Sequence, residues 1–538
     1  MRADASTWVP IRMAEVELGP VANRVPLTLD GDTHLLATLH GAPALAMVVS
    51  RSQPQSLHSS RPAMAVVRNR KDVVAALVGP MLAHLARDAA ERPPTGTGDR
   101  IIELLDRPQQ CAFAPVPSLT VAVCTRDRVA GLDACLRALR AAASTGVDLL
   151  VVDNAPATDA TERLVRERFP EVRYIREPSA GLNRARNRAI AEATGELIAF
   201  TDDDACVAAG WAIAFRDLFA RNPELDGATG LVLPIALETE AQWFFERYGG
   251  FGRGFRRRWI SARAPERRAI AFRHGNTGTL GTGANMVFRR SVFDRIGRFD
   301  PTLDVGTATN GGGDLELLFR ALKEGCTLAY EPSAIVRHRH RRSYGELQAQ
   351  MDGWGSGMSA YLSRSAEHYA GERMAILRLR AWLFISWFAR RFVFSFVRQN
   401  FPRDLIAREL RGTIAGPARY RRSRADAVAR GDAMPIVPPG SHAPPGASDG
   451  TEPVTKRTLE LCDQPAPLSG FGLATRATVQ VLERGRMLGA IQLDVRQGVI
   501  GADRLRDAIA AALPEALLGA SAAVARRRVA TMLAERLA

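Results

Sequence analysis

Between residues 119 and 204, apolar runs short enough for strands alternate with stretches of helical periodicity, and this alternation constrains the fold more than any other feature of the chain. LTVAVCT (119–125) is unbroken and apolar, as a strand buried on both faces must be. Behind it Leu132, Cys135, Leu136 and Leu139 recur at the spacing of one helix face. The unit then repeats. Residues 148–152 read as a second strand, Asp159 with Glu162 can cap a second helix, and 172–175 read as a third strand. A third helix over 182–193 can stop at Thr194-Gly195, and the strand 196–200 follows. Strands joined through helices return in the same direction, so the expected fold class is α/β with a mostly parallel, Rossmann-like central sheet. Ligands of such sheets sit beyond the carboxyl ends of the strands. Asp153 stands at the end of the second strand, and Asp202, Asp203 and Asp204 close the fourth.

Three carboxylates at the end of an apolar strand suit a hard cation such as Mg²⁺ or Mn²⁺, which takes oxygen ligands and shares its other positions with water and phosphate. A solvated acidic turn would look the same in sequence. Further on, Leu315, Leu318, Phe319 and Leu322 mark one face of a helix from about Asp314 to Glu324, stopped by Gly325. A carboxylate at the start of that helix, after Gly311-Gly312-Gly313, is placed to receive a proton, or simply to cap the helix. His338 and His340 follow one more strand, as metal-type imidazoles or as part of a solvated basic run.

The segments LTVAVCTRDR, LLVVDNAPATDAT, EPSAGLNRARNRAI, GELIAFTDDDA, GTGANMVFRRSVFDRIGRFDP and GGGDLELLFRALKEG occur in this order. As an ordered set, over about Ser118 to Tyr344, they resemble glycosyltransferase family 2, the inverting enzymes of the nucleotide-diphosphosugar transferase (GT-A) fold. The resemblance implies a nucleotide-diphosphate sugar donor, a saccharide, lipid-linked or other hydroxyl acceptor, and a divalent cation, Mn²⁺ or Mg²⁺. It implies that Asp153 binds the nucleotide base and that Thr125 and Arg126 form the first nucleotide-contacting loop. Arg184 and Asn187 fall in a segment beside the donor. Asp202 and Asp204 match the ends of a DxD motif, with Asp204 on the metal and Asp202 shared between metal and donor; Asp203, also on the donor side, leaves the register open by one. Asp314 matches the catalytic base, with Glu316 in reserve, although Gly313 replaces the usual Glu before it. His338 matches a third metal ligand better than His340 does. Gly275 to Asn285 would line the acceptor side.

The activity so implied is sugar transfer with inversion, in bacterial cell-surface polysaccharide or glycolipid synthesis. A non-catalytic carbohydrate- or nucleotide-sugar-binding scaffold retaining the fold is the alternative. A nucleotidylyltransferase would need a GxGxR loop after the first strand, where this chain reads RDRVAG.

Around the central region, expected to span 115–345, the chain divides further. Residues 1–114 and 456–538 each suggest a small ββα module, with hairpins in THLLATLHGAPALAMVV and ATVQVLERGRMLGAIQLDV and an apolar helix interrupted at Pro80 or Pro514. Residues 346–433 read as a helical extension, and the Pro/Gly-rich 434–455 as a linker. AWLFISWFA (381–389) is too short to span a bilayer, and its flanking arginines suit a helix in the membrane interface or one packed on the domain. With 72 Lys+Arg against 57 Asp+Glu, the net charge of +15 favours anionic partners, and seven arginines between Arg253 and Arg268 suit a phosphate-bearing acceptor or an anionic membrane. No platform for nucleic acid is visible, so none is expected. The six scattered cysteines and the lack of an apolar leader point to the cytoplasm, at the inner face of the membrane if the interfacial helix binds there.

Overall fold

The computed structural model describes residues 10–18, 32–40, 42–49, 65–67, 70–91, 93–94, 99–105, 116–143, 146–262, 270–397, 402–431, 454–461, 466–472 and 474–536. Most of the 434–455 stretch, and Arg263, Arg267 and Arg268 of the basic segment, lie outside these residues.

The chain begins with a sheet of β1 (Arg12–Glu17), β2 (Thr33–Leu39), β3 (Ala42–Val49) and β4 (Ala65–Val67), in that order. β1 is parallel to β2, which turns at His40 into antiparallel β3. The helix Arg70–Glu91 follows and runs through Pro80 without interruption, contrary to the expected break. Its apolar face is buried, so packing offsets the hydrogen bond that proline forfeits.

The central sheet contains β5 (Leu119–Thr125), β6 (Val147–Asn154), β7 (Arg173–Glu177), β8 (Leu197–Asp202), β9 (Ala205–Val207), β10 (Gly227–Pro234), β11 (Arg258–Ile260), β12 (Asn285–Arg289) and β13 (Leu328–His338). Their order is β11-β13-β10-β12-β8-β5-β6-β7, with β9 attached to β13. β5, β6, β7, β8, β10 and β13 run one way and β9, β11 and β12 the other, so the sheet is mostly parallel with β12 inserted antiparallel between β8 and β10. One face packs under the helices Val129–Ala142 and Trp211–Arg221, the other under Leu182–Glu192 and Gly313–Lys323. Two separate apolar cores result, as a two-sided sheet requires.

Beyond β13, a Ser343/Glu346 capping box starts the helix Tyr344–His368. This helix packs closely against Arg403–Ala429. A Cβ on Gly355 would collide with the Glu409 carbonyl, and one on Gly412 with the Asp352 carbonyl, so only glycine permits the approach. Between them, Arg373–Val397 is continuously helical, with π-type turns over Leu383–Ala389.

The chain closes with β14 (Val454–Glu460), β15 (Arg476–Glu483) and β16 (Arg486–Asp494), followed by the helices Ala502–Ala512, Pro514–Leu518 and Ala522–Arg536. As at the N-terminus, the first strand is parallel to the second and the second antiparallel to the third. Leu77, Met81 and Leu85 of the early helix share one core with Leu505, Ile509, Val529 and Leu533. The two ends of the chain therefore meet in one unit. That unit joins the central domain through buried charges: Asp503 lies 3.2 Å from Arg257, 3.2 Å from Arg221 and 2.9 Å from Arg506.

Candidate active site

The three aspartates face different ways because they straddle a turn. Asp202 ends β8, and Asp204 precedes β9, whose Ala205 pairs with His338 at the end of β13. That pairing brings Asp204 Oδ1 to 3.1 Å from His338 Nε2. Asp202, Asp204 and His338 each present a ligand atom within 4.8 Å of the others, a donor set of two carboxylates and one imidazole that fits Mn²⁺ or Mg²⁺. His340 is not part of this group. Its Nε2 contacts Glu246 Oε1 at 2.6 Å, inside an aromatic surround that includes Phe245.

Asp203 turns inward, accepting from Thr125 Oγ1 at 2.7 Å and from Arg128 Nη1 at 3.1 Å. Arg128 also reaches Asp204 Oδ2, again at 3.1 Å. Burial pushes the Asp203 carboxyl up to about 6, against the charge of Arg128. Burial acts the same way on Asp204, but the charge of His338, its hydrogen bond and Arg128 outweigh it and hold that carboxyl well below the usual range. Burial disfavours the imidazolium of His338, yet Asp204 raises its pKa. A cation bound here would take the place of that proton.

Asp202 also borders a cavity of about 790 Å³, and so does Asp314. Asp314 lies in the first turn of Gly313–Lys323, its Oδ2 accepting from Gly283 N at 2.9 Å and its Oδ1 from Leu315 N at 2.9 Å. Gly312, at φ 101°, makes the turn into the helix. The departure at Gly313 has a steric cause. A side chain there would run into the Asn183 amide and come within 2.7 Å of the Leu303 carbonyl.

Glu316 is no alternative base, because it is fully buried between Arg320 and Arg364 at 2.8 Å from each. Asp153 is buried at the end of β6, where Oδ2 accepts from Tyr174 at 2.8 Å and Oδ1 has no hydrogen bond. Burial raises its pKa. Arg126 is exposed beside Thr125. The helix Leu182–Glu192 turns a different face to the cavity than its sequence suggests. Asn183 and Arg186 line it and Arg184 does not, while the Asn187 amide is committed to the Phe299 backbone at 2.9 and 2.8 Å. Arg186 Nη2 lies 3.7 Å from Asp202 Oδ1.

Arg128, Arg186 and Asp304 are site residues that the sequence reading misses. Asp304 borders the cavity and accepts from Asn183 N at 2.8 Å, and burial pushes its carboxyl up to about 7. Arg128, two residues beyond Arg126 in the same loop, was within reach of sequence reasoning. Of the basic segment's described arginines, Arg257 is held by Glu331 and Asp503, and Arg253 donates to the Gly250 and Gly252 carbonyls.

A mostly parallel sheet with clustered carboxylates beyond its strand ends and a further carboxylate on a helix N-terminus is the architecture of the GT-A fold. Residues 120–297 match the model of Glycosyl transferase family 2. A pre-mycofactocin glycosyltransferase of Mycobacterium tuberculosis is 25% identical over 310 residues, which are 57% of this chain and 57% of that protein. A polypeptide N-acetylgalactosaminyltransferase 5 of Caenorhabditis elegans is 28% identical over 36% of this chain and 32% of its own. Among solved structures, a mannosyltransferase from Pyrobaculum calidifontis in complex with GDP-Man and Mn²⁺ superposes with a TM-score of 0.38 at 16% identity, covering 64% of this chain and 97% of that one.

Proposed function

We propose that the protein is a divalent-metal-dependent glycosyltransferase that moves a sugar from a nucleoside diphosphate to an acceptor hydroxyl with inversion. The carrying observation is that Asp202 belongs both to the carboxylate–imidazole cluster and to the cavity that Asp314 borders. Asp202, Asp204 and His338 would hold the cation, which when bound supplies positive charge to the leaving diphosphate. Arg128 and Arg341 add positive charge beside Asp204. Asp153, with one buried oxygen uncommitted, is suited to accept from a nucleobase N–H.

Asp314 acts as the base. Its two backbone N–H donors fix the carboxylate at a helix N-terminus, where it takes the proton of the acceptor hydroxyl as that oxygen attacks the anomeric carbon. Attack opposite the departing diphosphate inverts the configuration.

Part of the cavity wall is apolar, with Leu383, Phe384, Trp387, Phe388 and Ile414 in its lining. The first four of these belong to the helix Arg373–Val397, whose Met374, Leu377, Trp382, Phe384, Ile385, Phe392, Val393 and Phe396 are 46% to 65% exposed. An amphiphilic, lipid-linked acceptor held at a membrane surface accounts for both features, with Arg373, Arg378 and Arg390 exposed on the same helix toward anionic headgroups. Among the described residues only Lys71–Glu91 is long and apolar enough to cross a membrane, and it lies in the terminal core. The relatives' names point to a mycofactocin precursor and to polypeptides as acceptors, and the apolar part of the cavity wall favours neither.

Replacing Asp314 by Asn should lower turnover by about 10²- to 10⁴-fold while donor and metal affinities stay within a few-fold. Near-normal turnover in that variant would remove Asp314 from the mechanism.

A further inference from the structure

Outside this cavity, three metal-type side chains converge in the terminal unit. His40 occupies the turn between β2 and β3, while His84 and Asp88 lie one turn apart on one face of the helix Arg70–Glu91. Asp88 Oδ2 is 2.9 Å from His40 Nδ1 and 3.2 Å from His84 Nε2, and the two nitrogens are 3.4 Å apart. The side chains are 10%, 13% and 24% exposed for His40, His84 and Asp88, so the group is sheltered but within reach of solvent.

His40 is held in place at a cost. Its backbone adopts φ 52°, a left-handed conformation unusual for a residue with a side chain, and its N–H donates to Glu17 Oε1 at 2.9 Å. Both imidazoles converge on one carboxylate oxygen, with their own nitrogens facing each other. A single cation would serve all three donors. Tetrahedral Zn²⁺, with bonds of about 2.0–2.1 Å, sets its ligand atoms roughly 3.3 Å apart, close to the spacings seen here.

We propose that His40, His84 and Asp88 form a second metal site, selective for Zn²⁺, with its fourth position open to water. Two imidazoles and one carboxylate suit zinc, whereas the carboxylate-richer cluster at Asp202 suits Mg²⁺ or Mn²⁺. The ion would tie the tip of the β2–β3 hairpin to a helix that is itself paired with the C-terminal helix Ala502–Ala512 and with the central domain. On that helix Arg87 pairs with Asp507 at 2.7 Å, and Glu91 pairs with Arg221 at 2.5 Å and with Arg506.

The test uses the full-length protein, stripped by chelator and titrated with Co²⁺ as the visible surrogate for zinc. The expected result is two equivalents bound, one giving the intense visible absorption of a tetrahedral site, displaced stoichiometrically by Zn²⁺. His84→Ala should lose that band and one equivalent, or weaken its binding at least tenfold, while melting in chelator as the wild type does. Asp204→Ala should keep the band, and this arm decides the matter even if His84→Ala fails to fold. A wild type that shows no tetrahedral band, or a band that disappears in Asp204→Ala, would overturn the second site.

Discussion

At Asp304 the protein keeps a carboxyl group that it would hold more easily as an acid. Burial raises its pKa from 3.8 to about 7, against the pull of the Asn183 N–H and the charge of Arg186. The native state thus binds this proton more tightly than the unfolded chain. The stability it contributes is full below about pH 4 and is lost as the pH rises through about 7. Asp304→Asn should therefore be more stable than the wild type at pH 8, by on the order of 2–4 kcal/mol, with the gap closing toward pH 4. Denaturant melts at the two pH values measure this, and an equal difference at both would refute the cause assigned. Asp304 could not be read from sequence, because its burial depends on backbone from a segment 121 residues earlier. The resemblance singles out Asp204, His338 and Asp314; the structure sets Asp204 beside His338 and Asp314 in the first turn of its helix. Arg184 and Asn187 show the limit of such reading. They share one helical face and Asn183 with Arg186 the next, and sequence alone does not fix which face meets the cavity.

At the scale of elements, the alternation over residues 119–204 delivered β5, β6, β7 and β8 to within two residues at each end. The pairing that assembles the metal cluster escaped, because β9 is three residues long and carries no periodicity of its own. The helix Arg373–Val397 shows the opposite balance. Its aromatic content was plain in sequence, but only the structure separates the residues facing the cavity from those left in solvent. Ile385 and Val393 are 65% and 63% exposed. Replacing both by Asp should change stability by less than about 1 kcal/mol, since each lies on the surface. The same change should weaken co-sedimentation with anionic vesicles by at least about tenfold, through lost apolar burial and added negative charge. Undiminished vesicle binding would move the membrane contact elsewhere.

Across the whole molecule, the ends of the chain form one body that clasps the central domain. The sequence showed two similar hairpins; it could not show that they share a core, because no local signal reports a contact spanning more than 400 residues. The joint rests on Asp503, buried among Arg221, Arg257 and Arg506, which together hold its carboxyl well below the usual range against the opposing effect of burial. Asp503→Ala would leave those guanidiniums undercompensated and should cost about 3–5 kcal/mol, read as a lowered denaturation midpoint. A midpoint unchanged from wild type would show that the joint does not depend on this charge. What the carboxylate–imidazole cluster does for transfer is read from nucleoside diphosphate release from a panel of UDP- and GDP-sugars, followed in chelator and then with Mn²⁺ restored, for the wild type and Asp204→Ala. Release by the wild type that stops in chelator and returns with Mn²⁺, and that is lost in Asp204→Ala, is the predicted result; release that continues in chelator, or that survives the Asp204 substitution, would contradict it.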